Sequence, residues 1–407
     1  MSLQIERSQR ASRMGRAGRT LPRALRVPYR TRRSWRRVAV AASIVALAPG
    51  VVSYVRMLAQ PSNSSLSIRT VEWLRSDGAR ALVNRIESIY YTLTAPAPGG
   101  PALRALPKQS GTVVATVQGA SARAARRARH RLPRPYLPPP IRPVIHPALP
   151  GEGVWHATFS GGGSDPPVLI TSYRPEPQYP QLVAGLAWIN AARTNIWLYP
   201  GMQEPAVAMP NRGPEEVPRS LRYKLVATFN SAFKLSDSGG GFAYGGHTYA
   251  PLRDGLATIL RYSDGRVDIV DWNGGPDVGP NIVYARQNLP LIIDNGHLNP
   301  NLSDGPQWGA TLGNAIEVWR SGIGIDRHGD LIYAAADYQT VGSLAQMLLH
   351  AGAVRAMELD INSYWPSFIT YRRPGAVDPA NLLPDMTRSP YRYLTPDDRD
   401  FFAVYLK

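Results

Sequence analysis

The feature that most constrains this chain is an uncharged run at residues 38–55, entered from an arginine-rich segment and closed by Arg56. Eighteen residues is about the minimum that crosses a hydrocarbon core of roughly 30 Å as a helix rising 1.5 Å per residue. Residues 1–37 contain twelve arginines, one acid (Glu6) and no lysine. Arginine-rich flanks stay on the cytoplasmic side, so the reading is a basic cytoplasmic tail (1–37), a single transmembrane anchor (38–58), and everything after it outside. A cleaved signal is the alternative. Ala46-Leu47-Ala48 has the small-x-small form, although Pro49 would then follow the cut, and Arg32-Arg33-Ser34-Trp35 faintly resembles a twin-arginine signal. Pro49 and Gly50 weaken the run as a helix.

Charge divides the chain at the same place as texture does. Residues 1–150 hold 26 of the 46 Lys+Arg and 4 of the 29 Asp+Glu, so the net +17 belongs to the N-terminal part and the remainder is slightly acidic. Nucleic acid as a partner is thereby disfavoured for the main domain, although the whole-chain charge alone would suggest it. With no cysteine, the chain has no disulfide, thiolate zinc site or cysteine nucleophile.

Residues 59–94 read as a helical stalk or docking element. Val71, Leu74, Leu82, Val83, Ile86 and Ile89 recur at spacings near three and four, and Asp77-Gly78 offers an interruption. Residues 95–150 read as a Pro/Arg-rich linker, with a basic run at 123–131 able to touch anionic polymer or headgroups, and Leu137-Pro138-Pro139-Pro140 near its end. From 151 to 407 short apolar runs bounded by Gly, Pro, Asn or Asp recur, the mark of strands. Asp264-Gly265 and His328-Gly329-Asp330 read as hairpin turns. One helix stands out, capped by Thr340, with Leu344, Met347 and Leu348 on its buried face and Gly352 at its end. The expected fold is α+β: a large mixed sheet with few helices, preceded by the membrane segment and the linker.

The chain has no P-loop, HExxH, GxSxG or EF-hand pattern and no clustered histidines. The glycines at 161–163 lead to Pro166-Pro167 and read as a loop. What remains is an ordered set of motifs: Asn230-Ser231-Ala232-Phe233, a Gly-rich stretch through Gly245-Gly246, Arg320-Ser321-Gly322-Ile323-Gly324, a turn at Gly329-Asp330, the helix, and a strand ending in Glu358-Leu359-Asp360. This order resembles the phosphodiester glycosidase family over roughly residues 150–407. The family carries an Asn-Gly-x-Phe-like motif, then Arg-[Thr/Ser]-Ala-[Ile/Val]-Gly, and a strand ending in Asp-Gly-Gly-x-Ser. Here Gly322 takes the alanine place, and the last motif is Asp360-Ile361-Asn362-Ser363-Tyr364, with both glycines lost. Paired glycines allow close backbone approach and positive φ, which β-branched Ile361 resists. Either the loop runs differently, with Asn362 supplying a side chain, or the ligand has changed.

The resemblance implies hydrolysis of a sugar–phosphate diester of a cell-envelope glycan, or a binding module of the same fold without catalysis. Such hydrolysis needs charge stabilisation on phosphate, a proton donor and an activated water. Arg320 offers a forked phosphate clamp. Asp360, at a strand's C-terminal end, offers acid–base chemistry or a metal ligand, and Glu358 shares its face if the strand is regular. Asn230, Asn362, His297, Gly245 and Gly246 are the substrate-binding candidates. Each also has a plain structural reading: an ion pair for Arg320 and Glu358, turn chemistry for the others. A divalent cation is an open possibility; no other cofactor is indicated.

Overall fold

A computed structural model describes residues 29–112, 135–160, 165–309 and 317–407. The basic run at 123–131 and the glycines at 161–163 lie outside the described residues. The chain divides into two compact units, residues 1–56 and 57–407. The described part of the first belongs to helix α1 (Tyr29–Ala59), which runs through Pro49. Within it the stretch Trp35–Ala59 is long and apolar enough to cross a membrane, and none of it is buried.

The second unit begins with a helical hairpin, α2 (Leu66–Ser76) and α3 (Arg80–Thr94). Asp77-Gly78 breaks the helical pattern as its composition suggests; Gly78 has φ +98°, open to glycine and costly for other residues. The hairpin docks on the strands that follow. Asn63 donates to Asp397 at 2.8 Å, Ser62 to Asp398 at 2.7 Å, and the Tyr338 hydroxyl to the Thr94 carbonyl at 2.7 Å.

The strands form an eight-stranded sheet and two five-stranded sheets, and every recorded pairing is antiparallel. The architecture is sheet-rich with few helices, as read from the sequence. The strands share themselves among three antiparallel sheets, where one mixed sheet was expected: the helix Val341–His350 crosses over between two strands that run the same way, but Val318–Asp326 lies between them and pairs antiparallel with both. Five strands matter for the site: β1 (Leu225–Asn230), β2 (Val318–Asp326), β3 (Leu331–Gln339), β4 (Ala353–Glu358) and β5 (Phe401–Leu406). In the large sheet β2 lies between β3 and β4; in one small sheet β1 pairs with β5.

One face of the large sheet meets both small sheets. Ile170, Ile189, Ile323 and Tyr333 pack there with Phe229, Phe402, Ile259 and Tyr284. The other face is covered by helix α4 (Val341–His350), whose Leu344, Met347 and Leu348 meet Leu186, Trp188 and Ile332. With both faces covered, β2 is buried along its whole length, which is why its sequence shows no polar–apolar alternation. Thr340 caps α4 in a reciprocal pair with Ser343. Gly322 explains the close fit of this helix: a Cβ there would stand 3.0 Å from Leu348 and 3.1 Å from the Met357 carbonyl.

Contacts with the domain begin upstream of residue 151. Tyr136 stacks on His328 at 3.8 Å, and Ile141 is buried, its N–H bonded to the Gly153 carbonyl at 2.9 Å. Ile141→Ala should therefore cost about 2–5 kcal/mol, the range for emptying a core site, read from urea unfolding followed by tryptophan fluorescence. A solvated linker at this position would leave the midpoint unmoved.

Candidate functional site

The strand β4 ends at Glu358, and the chain turns out of the sheet through Leu359 and Asp360. Ser321 of β2 holds that exit. Its carbonyl accepts from Leu359 N–H at 2.7 Å, its N–H donates to the Asp360 carbonyl at 3.0 Å, and its hydroxyl donates to the same oxygen at 2.9 Å. The Asn230 side-chain amide donates to that hydroxyl at 3.1 Å. Thus the ends of β1, β2 and β4 meet at Ser321.

Alternation along β2 sends Arg320 to the opposite face. There its guanidinium is 1% exposed, paired with Glu358, and bonded to the carbonyls of Gln339 at 2.8 Å and Trp308 at 3.2 Å. Burial raises the Glu358 carboxyl above its ordinary pKa, with Arg320 pulling the other way. Neither residue lines the cleft described below. The phosphate-clamp reading of Arg320 thus meets a buried ion pair, because donors on both sides of the fork are already spent on carbonyls and a carboxylate. Asp360 does not continue the Glu358 face either, since the strand has ended.

Asp360 opens onto a cleft of about 190 Å3. Its Oδ2 accepts from Arg399 at 2.9 Å and its Oδ1 from Asn362 N–H at 3.0 Å. Phe233, Ile361, Asn362, Trp365 and Arg399 complete one wall, and Lys234 stands beside them. The facing wall is the helical hairpin: Glu72 and Arg75 from α2, Arg80 and Asn84 from α3. Glu72 forms an ion pair with Lys234 across the cleft, and the Arg399 guanidinium stacks over Trp365, 4.9 Å from the ring centre. A second cavity of about 310 Å3, lined by Ile68, Val71 and Tyr91, shares Glu72 and Asn362 with the first.

Of the three carboxyls lining the cleft, Asp360 and Glu72 are pushed apart. Burial raises Asp360, opposed by Arg399 and aided by Glu72. Burial also acts on Glu72, but Lys234, with Arg399 and Arg75, holds it below its ordinary value. Opposed environments of this kind divide proton donor from proton acceptor.

Of the residues singled out from the sequence, Asp360 and Asn362 meet in the cleft. Asn362 shapes its loop, its side-chain oxygen accepting from Tyr364 N–H at 3.1 Å. Ile361, standing where the family motif has glycine, turns inward and is 2% exposed; a Cβ on Gly309 would lie 2.8 Å from its Cδ1. Asn230 is buried beneath the site with its amide fully used. Besides Ser321 it bonds the Ser231 carbonyl at 2.9 Å, and it accepts from Tyr333 Oη and Ser367 N–H, both at 2.9 Å. Gly245 and Gly246, at φ +60° and +78°, make the two-residue hairpin between Phe242–Tyr244 and His247–Ala250. His297 is exposed in the hairpin Ile293–Asp294/His297–Leu298 at one edge of the large sheet. None of these last three lines the cleft. Among the described residues no three His, Asp or Glu side chains gather to hold a metal ion.

Lys234, Arg399 and Glu72 were not singled out from the sequence. Lys234 directly follows the Asn230–Phe233 motif, a signal that was available. Arg399 sits in Asp397-Asp398-Arg399-Asp400, which reads as a solvated turn. Glu72 sits on a helix whose docking side periodicity does not specify.

Residues 224–360 match the family model described as phosphodiester glycosidase, so the resemblance carried by the ordered motifs holds for that segment. No curated protein sequence matches the chain. Among solved structures, the zebrafish N-acetylglucosamine-1-phosphodiester alpha-N-acetylglucosaminidase catalytic domain, auto-inhibited by its pro-peptide, is similar at 13% identity and a TM-score of 0.40, over 61% of this chain and 86% of that one. A hypothetical protein from Synechocystis aligns at 14% identity and TM-score 0.32, over 60% and 63% of the two chains. A protein of Burkholderia pseudomallei described as exported aligns at 12% identity and TM-score 0.33, over 55% and 74%.

The buried pair gives a test that separates structure from catalysis. Glu358→Gln leaves the Arg320 charge uncompensated in the core, so it should lower stability by about 3–5 kcal/mol in urea unfolding. At temperatures where the variant remains folded, ligand binding in the cleft should be unchanged.

Proposed function

We propose that residues 57–407 hydrolyse a sugar–phosphate diester of the cell envelope at the Asp360 cleft. The domain would be displayed outside the cytoplasm by the anchor at 38–58. One observation carries this reading: within the segment that matches the phosphodiester glycosidase family, Asp360 opens into a cleft beside two cations, Lys234 and Arg399. Water adds to the anomeric carbon, the bond from that carbon to the phosphate oxygen breaks, and the sugar leaves free while the phosphate stays on its other ester partner. Lys234 and Arg399 would take up the charge that grows on the departing phosphate. Asp360, kept protonated longer than an ordinary carboxyl by burial, would donate to it. Glu72, held ionised by Lys234, would accept the proton of the attacking water.

The second reading is a glycan- or phosphate-binding module without turnover. Ile361 favours it, because its inward side chain fills space that glycine would leave to a ligand. Release of sugar from sugar-1-phosphodiesters by the full chain, with and without divalent cations, separates the two. Binding without release would establish the module.

For the enzyme, Asp360→Asn should lower kcat by about 10²–10⁴-fold, the usual share of general acid–base catalysis, and, because it leaves the buried Arg399 without its carboxylate, lower stability by about 3–5 kcal/mol, so kcat is compared at a temperature where the variant stays folded. As a donor with a raised pKa, Asp360 is active below that pKa, so kcat should fall as pH rises through it. A kcat that rose along that limb would assign Asp360 the opposite role.

A further inference from the structure

The helix α3 is docked with its apolar stripe outward. Val83, Asn84, Glu87 and Tyr91 face the domain: Asn84 lines the cleft, and Glu87 pairs with Arg75. Leu82, Ile86, Ile89 and Leu93, spaced four, three and four residues apart, are 54–80% exposed, with Tyr90 beside them at 60%. A helix of a soluble protein would turn such a stripe to the core. Among the described residues nothing covers this one, and a run of large exposed apolar side chains of this kind marks an interaction surface.

We propose that this stripe lies in the headgroup layer of the membrane that the chain's own N-terminal helix enters. The inference rests on the anchor reading given above. Chain continuity favours a bilayer. The apolar stretch ends at Ala59, α2 starts at Leu66, and only three residues separate α2 from α3. At about 3.3–3.6 Å per extended residue, these connectors keep α3 within reach of the surface on which α1 emerges, at a high effective concentration. Composition agrees: Arg80 and Arg85 are exposed on the same helix, and Tyr90 is apolar in body with a polar tip, the make-up of an interfacial helix among anionic headgroups. Nothing marks a coiled coil with a second copy, whose apolar repeat runs over about three to four heptads, since this stripe ends after four positions. Held this way, α3 would set the Asp360 cleft beside the membrane surface, because Arg80 and Asn84 line its wall.

The chain has no cysteine, so single probes report cleanly. Full-length protein carrying Ile86→Cys, Leu93→Cys, Leu47→Cys or Tyr223→Cys is labelled with an environment-sensitive fluorophore and reconstituted in phosphatidylcholine/phosphatidylglycerol vesicles. All four positions are exposed, so the fold is retained, checked by circular dichroism. Spin-labelled lipids quench from the bilayer and iodide from water. The expected result is loss of emission at residues 86 and 93 with headgroup-level spin labels and protection from iodide there. Residue 47 should respond to deep labels and residue 223 to iodide alone. Quenching of residue 47 by lipid with residue 86 open to iodide overturns the inference and leaves the anchor standing. Residue 47 open to iodide overturns the anchor and the inference with it. Protection of residue 86 from both quenchers assigns the stripe to a protein surface, which also overturns it.

Discussion

Four consecutive charged side chains, Asp397 to Asp400, hold the strands, the cleft and the helical hairpin in register. All are 6% exposed or less, where an unpaired charge costs several kcal/mol, so each one demands a partner from elsewhere. Asp397 takes Arg392 at 2.7 Å and Arg388 at 3.2 Å; burial would raise its pKa, and these arginines hold it low instead. Asp398 takes Ser62 and Ser64 ahead of α2. Arg399 takes Asp360 and the Ala232 carbonyl. Asp400 takes Arg286 at 2.8 Å. Because β5 starts at the next residue, the strand register, the Asp360 loop and the hairpin dock are fixed from one short segment.

The same segment explains why only one of the two acidic positions near the end of β4 reaches the cleft. Two carboxylates two residues apart would share a face and repel if the strand continued. Ser321 ends the strand by taking the Leu359 and Asp360 backbone, so Glu358 stays with Arg320 on one side and Asp360 swings to Arg399 on the other. Each carboxylate thus has its own guanidinium. The isoleucine in the glycine place fits this arrangement, since Ile361 joins Phe233 and Val318 in a small apolar cluster that anchors the turned-out loop.

Local signals in the sequence carried over to the structure wherever the physics is local. Thr340 caps α4, Gly78 splits the hairpin helices, and Asp264-Gly265 turns between adjacent strands. The division into three sheets was not legible, because strand partners such as β1 and β5 lie far apart in sequence and periodicity does not name a partner. At the site, Asp360 was legible as a polar residue at a strand's C-terminal end, although the strand stops at Glu358. Arg320 and Glu358 carry two readings in the sequence, functional groups or an ion pair, since no local pattern distinguishes a buried charge pair from a catalytic one. The acidic run at 397–400 looks like a solvated turn for the same reason, which hid Arg399.

The hairpin's docked side is set by charge where periodicity would have set it by apolarity, and that has a consequence for the proposed chemistry. Glu72 closes the cleft by pairing with Lys234, so a phosphate entering between Lys234 and Arg399 must take Lys234 from it. The exchange need not leave a carboxylate alone, because Glu72 also lies 3.8 Å from Arg75 on the next turn of α2. Both pairs are part-exposed, so the exchange swaps one screened ion pair for another at small net cost. Asp360 has no such second cation: its partner Arg399 is fixed by Ala232 and buried beside Trp365. An anion would therefore find two cations on the wall facing the hairpin, Lys234, which can exchange its partner, and Arg399, which is fixed. On the proposed chemistry, that difference would let ligand entry loosen the helix contact without disturbing the charged segment that holds the strands together.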